Sequence, residues 1–281
     1  MKRLTIVVIS ILMSVSLSGQ RLFGGSGSDF GSFGKRVTKV VLQGNTLTDI
    51  VLADAVKKNW IISPYEFCYI EEYERIKEDT SFNFLLRTDG IFNKEYEPRL
   101  EYLTLIKGGP EFRKGLFMTT EYISLPFQSR DDVSGIAHAF LPAFLNIMQN
   151  HIISAQKGGL AQSKRKSISS YLNELNGRQL IFGVDDIGYQ TGEDEIKWTF
   201  RNRAEVSDND IKENAMRDYT KNTAVSLVIS PGDSGGGYCY KLLIGSDNHK
   251  LYYFRKHRFN SGKQPGFTKK EIKQISLQYN N

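Results

Sequence analysis

Apolar residues in this chain follow two rhythms, short β-branched runs cut by glycine and asparagine, and longer stretches at helical spacing. The run Val37-Thr38-Lys39-Val40-Val41-Leu42 predicts a strand, and Gly44-Asn45 ends it. Thr46, with Asp49 three positions on, predicts a capped helix whose apolar positions Ile50, Ala53 and Val56 continue towards Trp60. Ser63-Pro64-Tyr65-Glu66 predicts a second helix, reaching to about Lys77. Serine caps it, proline occupies the first helical position and glutamate reaches back.

Residues 82–86 and 100–106 predict strands, joined by a long connection that starts at an Asp89-Gly90 turn. Residues 119–125 predict a further strand. Ile136, Phe140, Phe144, Ile147, Met148 and Ile152 mark the longest helix, within residues 135–156. Pro142 either kinks that helix or marks its start. Beyond the basic Lys164-Arg165-Lys166, residues 179–184 predict a buried strand ending at Asp185-Asp186. Gly192-Glu193-Asp194-Glu195 reads as an acidic loop before a short strand at 196–200. A capped helix over 207–221 and a strand over 224–229 follow. Residues 238–244 and 250–259 form a hairpin across Gly245-Ser246-Asp247-Asn248. A terminal helix over 268–277 has Glu271 in the capping-box position.

Helices alternating with single strands, with hairpins among them, predict an α/β (or α+β) fold: a mixed β-sheet with antiparallel hairpins and helices packed on it. Asp49-Ile50 leads to Ile61-Ile62-Ser63-Pro64 and Cys68-Tyr69. In the same order Asp210-Ile211 leads to Val228-Ile229-Ser230-Pro231 and Cys239-Tyr240. The offsets differ, so two related halves, 35–130 and 178–281 around the long helix, stand beside chance similarity of common fragments.

Composition then sets the compartment. Lys2-Arg3, an apolar run from Leu4 to Leu17 and the small-x-small pattern Ser16-Leu17-Ser18 predict a signal peptide over 1–18. No cysteine follows the cleavage point, so no lipoprotein attachment is expected. The Gly/Ser-rich residues 19–34 read as a flexible tether, and 35–281 as the folded body. Of 281 residues, 40% are hydrophobic and 12% aromatic, enough for a core. Taking Lys2 and Arg3 away leaves 35 of the 37 basic residues against 31 acidic ones, a net charge of +4 in place of +6. That balance does not by itself call for nucleic acid. Export also makes Cys68 and Cys239 candidates for a disulfide, with two separate buried thiols as the alternative.

The stretch Ile229-Ser230-Pro231-Gly232-Asp233-Ser234-Gly235-Gly236-Gly237-Tyr238-Cys239 joins two strand-like runs. Its Gly-Asp-Ser-Gly-Gly resembles the site of trypsin-like serine proteases. The resemblance implies Ser234 as nucleophile and a histidine base held by an aspartate. His138, in Gly135-Ile136-Ala137-His138-Ala139, is the best-placed base. The chain otherwise departs from that family. Gly237 replaces its proline, His138 falls in a helical pattern with no cysteine after it, and the layout is helix-rich. The α/β-hydrolase pattern Gly-x-Ser-x-Gly is also met, but a nucleophile elbow leads from strand to helix and a strand follows here. The match therefore reads as fortuitous, and the stretch as a glycine-rich connection.

Metal chemistry finds no support. His249 and His257 lie roughly 27 Å apart on an extended strand, and His138 and His151 roughly 20 Å apart on a helix. Neither pair can share an ion. No phosphate-cradling or dinucleotide glycine motif occurs, and no cofactor is expected. Asp185 and Asp186 close a buried strand, the position where α/β sheets bind ligands, or else form a solvated turn. Leu251-Tyr252-Tyr253-Phe254-Arg255-Lys256-His257-Arg258-Phe259 mixes aromatics and cations, which suits a polysaccharide or nucleic-acid surface or a guarded sheet edge.

Asp54-Ala55-Val56 with Trp60, Ser63-Pro64-Tyr65-Glu66-Phe67-Cys68, and Cys239-Tyr240-Lys241-Leu242-Leu243-Ile244 with Leu251-Tyr252-Tyr253-Phe254-Arg255-Lys256-His257 resemble a family of exported proteins of Bacteroidota-type bacteria. That resemblance implies export and a shared fold, and carries no activity with it. The expected function is that of an exported, non-catalytic binding or interaction protein. Its place is the periplasm or envelope of a Gram-negative cell, or the medium. Its partner is an envelope protein or a small ligand, with no specific nucleic acid and no membrane span once the signal is removed. The alternative is a serine hydrolase using Ser234 and His138.

Overall fold

The structure is a computed structural model that describes residues 14–16, 30–91, 100–114, 121–130, 132–166, 171–188, 191–231, 238–258 and 265–280. The first sheet begins with β1 (Val37–Leu42), whose inner residues are buried on both faces, as a central parallel strand requires. Helix α1 (Leu47–Asn59) follows, with the complete Thr46/Asp49 capping box that the sequence predicts. Next come β2 (Tyr65–Tyr69), helix α2 (Ile70–Ile76), β3 (Phe82–Ile91), β4 (Leu100–Lys107) and β5 (Glu121–Ser129). Their order across the sheet is β2-β1-β3-β4-β5. Strands β2, β1 and β3 run parallel, and β3, β4 and β5 antiparallel. Outside this path, Ser14–Ser16 adds in parallel to Asp89–Ile91.

Two local expectations fail here for tertiary reasons. Ser63-Pro64 starts a strand instead of a helix. The Ser63 hydroxyl is taken by Thr38 Oγ1 at 2.7 Å and by Trp60 Nε1 at 3.0 Å, and the Pro64 carbonyl accepts from Thr38 N. Pairing with β1 therefore overrides the capping signal, and the helix waits until Ile70, with Glu71 and Glu72 in its first turn. Asp89-Gly90 is not a turn, because it pairs with Glu101 and Leu100 inside the β3–β4 ladder. Gly90 is needed there for space, since a Cβ would run into the Tyr102 ring.

The second sheet is built from β6 (Gln179–Gly183), helix α4 (Glu193–Thr199), β7 (Ala204–Ser207), helix α5 (Asn209–Arg217), β8 (Thr223–Ile229), β9 (Tyr238–Gly245) and β10 (Leu251–Arg258). Its order is β7-β6-β8-β9-β10, again with three parallel strands followed by two antiparallel ones. The chain thus traces one path twice, each time ending in a helix: α3 (Leu141–Lys166) after β5, α6 (Lys269–Tyr279) after β10. The fold is α/β, with two mixed sheets. Residues 196–199 belong to helix α4, with Phe200 as its C-cap, and not to a strand. Glu193, Asp194 and Glu195 fill its first turn, favourable at the positive end of the helix dipole, and Ile196 and Phe200 bury one face.

Helix α3 follows a 3-10 turn over Ile136–Phe140, and Pro142 sits in its first turn, where no intrahelical bond is lost. The helix joins the largest core. That core takes Val40, Leu85, Leu103 and Leu125 from one sheet, and Ile181, Val225, Leu227 and Leu242 from the other. Helices α1 and α5 also face it, through Leu52 and Val56 and through Ala215 and Met216. The far face of each sheet has its own cluster, around Tyr73, Phe84 and Phe112 in the first and Phe182, Phe200 and Ile275 in the second. Phe30 and Phe33 are buried in the shared core, so the folded body includes residues whose composition reads as tether.

Candidate functional site: a cleft at the switch point of the second sheet

Helices α4 and α5 leave the second sheet on opposite faces. Helix α4 departs from β6 and α5 leads into β8, and these two strands lie side by side. Between two such strands, beyond their carboxyl ends, an α/β sheet leaves a crevice. A cleft of about 230 Å³ occupies that place. Asp185, Asp186, Lys212, Val228 and Ser230 line it from the second half, and Gln128, Ser129, Asp132 and Ser134 from the segment around the end of β5. Both halves of the chain therefore build one wall each.

Asp186 frames the cleft floor and is buried. Its Oδ2 accepts from Lys212 Nζ at 2.7 Å and from the Ser226 hydroxyl, and its Oδ1 from Val228 N at 3.0 Å. Ser226 Oγ in turn accepts from Gly183 N at 2.9 Å. A Cβ on Gly183 would lie 2.6 Å from Lys212 Nζ and 2.7 Å from Asp186 Oδ2, so only glycine leaves room for this pair. A buried carboxylate and a buried ammonium in this arrangement satisfy and neutralise each other. What remains facing the cleft among the described residues is negative. Asp185 is exposed, and so is Asp132, whose Oδ1 accepts from Ser134 N at 2.8 Å.

No family model, curated protein or solved structure matches this chain.

The first sheet has an equivalent switch point, between the ends of β1 and β3, and side chains fill it. Asp49 accepts from Gly44 N at 2.9 Å, from Gln43 N at 3.2 Å and from Arg87 Nη2 at 2.9 Å. Gln43 Nε2 donates to the Arg87 carbonyl at 2.9 Å. Arg87 Nη1 continues to Glu101 Oε1 at 3.0 Å, and Glu101 Oε2 accepts from Gln128 Nε2 at 2.8 Å. Burial pushes the Asp49 carboxyl up, but the Gln43 amide and the Arg87 charge outweigh it and hold the group below its ordinary value. For Glu101, burial wins over Arg87 and the carboxyl is raised. Because Gln128 also lines the cleft, this filled switch point touches the open one.

The other sequence candidates are scattered. Asp233 and Ser234 lie outside the described residues. His138 sits in the Ile136–Phe140 turn, where its Nε2 meets Thr48 Oγ1 of α1 at 3.0 Å. Burial, and then the nearby Arg87 charge, lower its pKa. Cys68 and Cys239 are both free and buried, and do not form a bridge. Cys68 belongs to the outer cluster of the first sheet, and Cys239 lies on a strand of the second. Burial pushes each thiol up to about 11. On the last hairpin strand, Leu251, Tyr252 and Tyr253 are buried while Arg255 and Arg258 are exposed. Among the described residues no cluster of His, Cys, Asp or Glu could hold a metal ion, and no helix is long and apolar enough to cross a membrane.

Sequence reasoning reached Asp185 and Asp186 but missed Lys212, Ser226, Gln128 and Asp132. One signal was available. Ser226 interrupts an otherwise apolar buried strand, and a hydroxyl there requires a buried partner.

Proposed function

We propose that this protein is an exported binding protein that holds a small, positively charged polar molecule in the cleft between its two halves. The observation that supports this reading is the placement of two exposed carboxylates, Asp132 and Asp185, with no ion-pair partner among the described residues, along a switch-point crevice whose floor is fixed by the Asp186–Lys212 pair. At about 230 Å³ the cleft lies below the roughly 300–1,000 Å³ of drug-sized sites, which suits a small amine. Export rests on Lys2-Arg3, the apolar run and Ser16-Leu17-Ser18. The compartment proposed is the periplasm or envelope of a Gram-negative cell. Removal of residues 1–18 takes away the short strand Ser14–Ser16 and leaves β1 to β5 paired as they are.

Titration calorimetry of the mature chain with putrescine and ethanolamine, against succinate as the anionic control, tests the ligand class. The amines bind, and Asp185→Asn with Asp132→Asn weakens them about tenfold or more. Tighter binding of succinate, or no effect of the double variant, removes the reading. The hydrolase alternative keeps one point in its favour, since Ser230 lines the cleft and Pro231 leads directly into the Gly232–Ser234 stretch. A fluorophosphonate probe that labels the native protein and spares Ser234→Ala would establish that alternative.

A further inference from the structure

On the far face of the second sheet, helices α4 and α6 border a groove of about 730 Å³, larger than the switch-point cleft. Its most unusual feature is Trp198, whose surface is 83% exposed, with Leu277 on the same groove at 58%. Ile272 is buried within α6 and closes the groove from below. Exposed indoles are costly to leave in water and are concentrated at contact hot spots. Nothing in the fold of α4 needs this one, because Ile196 and Phe200 already bury the helix face that meets the core.

Cations line the same groove as the indole. Arg201, Lys269 and Lys273 line the groove, and the one carboxylate among its described lining residues, Glu195, pairs with Lys269 at 2.7 Å. Among the described lining residues, three positive groups against one negative leave a local charge of +2. Arg201 and Lys273 have no ion-pair partner among the described residues. Arg201 and Asn202 are both held at positive φ, 54° and 61°, in the turn that ends α4. The Arg201 and Asn202 amides bond back to the Trp198 and Lys197 carbonyls, which fixes this corner beside the indole.

We infer that this groove binds an acidic polysaccharide, with one sugar ring lying on the Trp198 indole and its carboxylate, sulfate or phosphate groups on Arg201 and Lys273. A sugar ring presents a flat array of C–H bonds to an aromatic face and hydroxyls to its rim. Asn202 and Thr199 provide polar partners there. An anionic substituent meets Arg201, whose planar fork suits a carboxylate or phosphate. A single-stranded nucleic acid calls for successive aromatic platforms, and this groove has one. A lipid surface calls for a projecting apolar face, whereas here the apolar residues line a depression. The groove lies on the opposite face of the sheet from the shared core, so this inference stands whether or not the cleft binds an amine.

Intrinsic fluorescence reads the site directly. The chain has two tryptophans, and Trp60 is 5% exposed against 83% for Trp198, so a ligand on the groove changes the emission of Trp198. The mature protein is titrated with polygalacturonate, neutral dextran, a single-stranded oligonucleotide and phosphatidylglycerol vesicles. Polygalacturonate shifts the emission to the blue at concentrations about tenfold or more below any effect of dextran. Trp198→Ala abolishes binding followed by a sedimentation assay, and Arg201→Ala with Lys273→Ala weakens it about tenfold and flattens its salt dependence. These side chains are exposed, so far-UV circular dichroism and the melting temperature of the variants stay those of the parent. Equal binding of dextran, tighter binding of the oligonucleotide or of the vesicles, self-association abolished by Trp198→Ala, or polygalacturonate binding unchanged by that variant each overturns the inference. Asp185→Asn leaves polygalacturonate binding unchanged.

Discussion

Tyr102 of β4 and Tyr240 of β9 meet hydroxyl to hydroxyl at 2.9 Å, with their buried rings edge to face at 88°. The first residue belongs to one sheet and the second to the other, and nothing near either in sequence announces the contact. Both phenols are fully buried, so removing one leaves the other with less than its share of hydrogen bonding. Tyr102→Phe is expected to lower stability by about 1–2 kcal/mol, and Tyr102→Phe with Tyr240→Phe by less than the sum of the single changes. Urea unfolding of the two single variants and the double variant measures the coupling. Strict additivity would show that the hydroxyls do not act as a pair.

The Asp186–Lys212 pair gives a larger effect. Asp186→Asn leaves a buried ammonium without its counter-charge, at a cost of about 3–5 kcal/mol. Adding Lys212→Met to Asp186→Asn recovers part of that loss, because the stranded charge is gone. The order of the three midpoints in chemical denaturation checks this. A double variant no more stable than Asp186→Asn would refute it.

Stability depends on pH through His249. Its side chain is buried, its Nδ1 bonds to Asn146 at 3.2 Å, and burial lowers its pKa below the ordinary value, with Asp247 opposing. The unfolded chain then binds a proton that the folded chain refuses. The associated stability is complete above the ordinary histidine value of about 6.5 and is lost as the pH falls from there towards the folded value. His249 sits at φ 54°, a conformation asparagine tolerates. His249→Asn should therefore flatten the fall in stability between about pH 7 and 5. Melting temperatures of both proteins across that range decide it, and parallel curves count against the assignment.

The two thiols should be silent in the folded protein. Both are buried, and each is pushed up to about 11, far from the reactive thiolate range. A thiol-reactive dye added to native protein gives no colour, and in guanidinium it counts two thiols per chain. Dithiothreitol leaves the melting temperature unchanged. A count of zero in guanidinium would mean that Cys68 and Cys239 are bridged after all.

Much of the fold could be read locally because it depends on local chemistry. Thr46 with Asp49 and Thr268 with Glu271 are complete capping boxes, and both helices start where those residues place them. The runs of β1, β6 and β8 are strands because their apolar residues are buried on both faces. The failures have a shared cause. Ser63-Pro64 carries a helix-start signal, yet its polar groups are claimed by Thr38 of a neighbouring strand. Asp89-Gly90 carries a turn signal, yet Gly90 is there to make room for Tyr102. Gly192-Glu193-Asp194-Glu195 reads as a loop because its helix is only seven residues long, too short to show periodicity.

Of the candidate cleft, the two adjoining acids at the end of β6 were legible locally, since a buried strand that stops at Asp185-Asp186 presents them at its carboxyl end. The local sequence did not distinguish them. Tertiary structure alone decided that Asp186 is spent on Lys212 and Ser226 while Asp185 stays exposed. It also decided that the first switch point is filled by Asp49 and Arg87 while the second is open. The physical reason is range. Capping, turn chemistry and strand preference act over a few residues. The partner of a buried charge is selected by the low dielectric around it, from whatever the fold brings within about 3 Å, here a lysine 26 positions away.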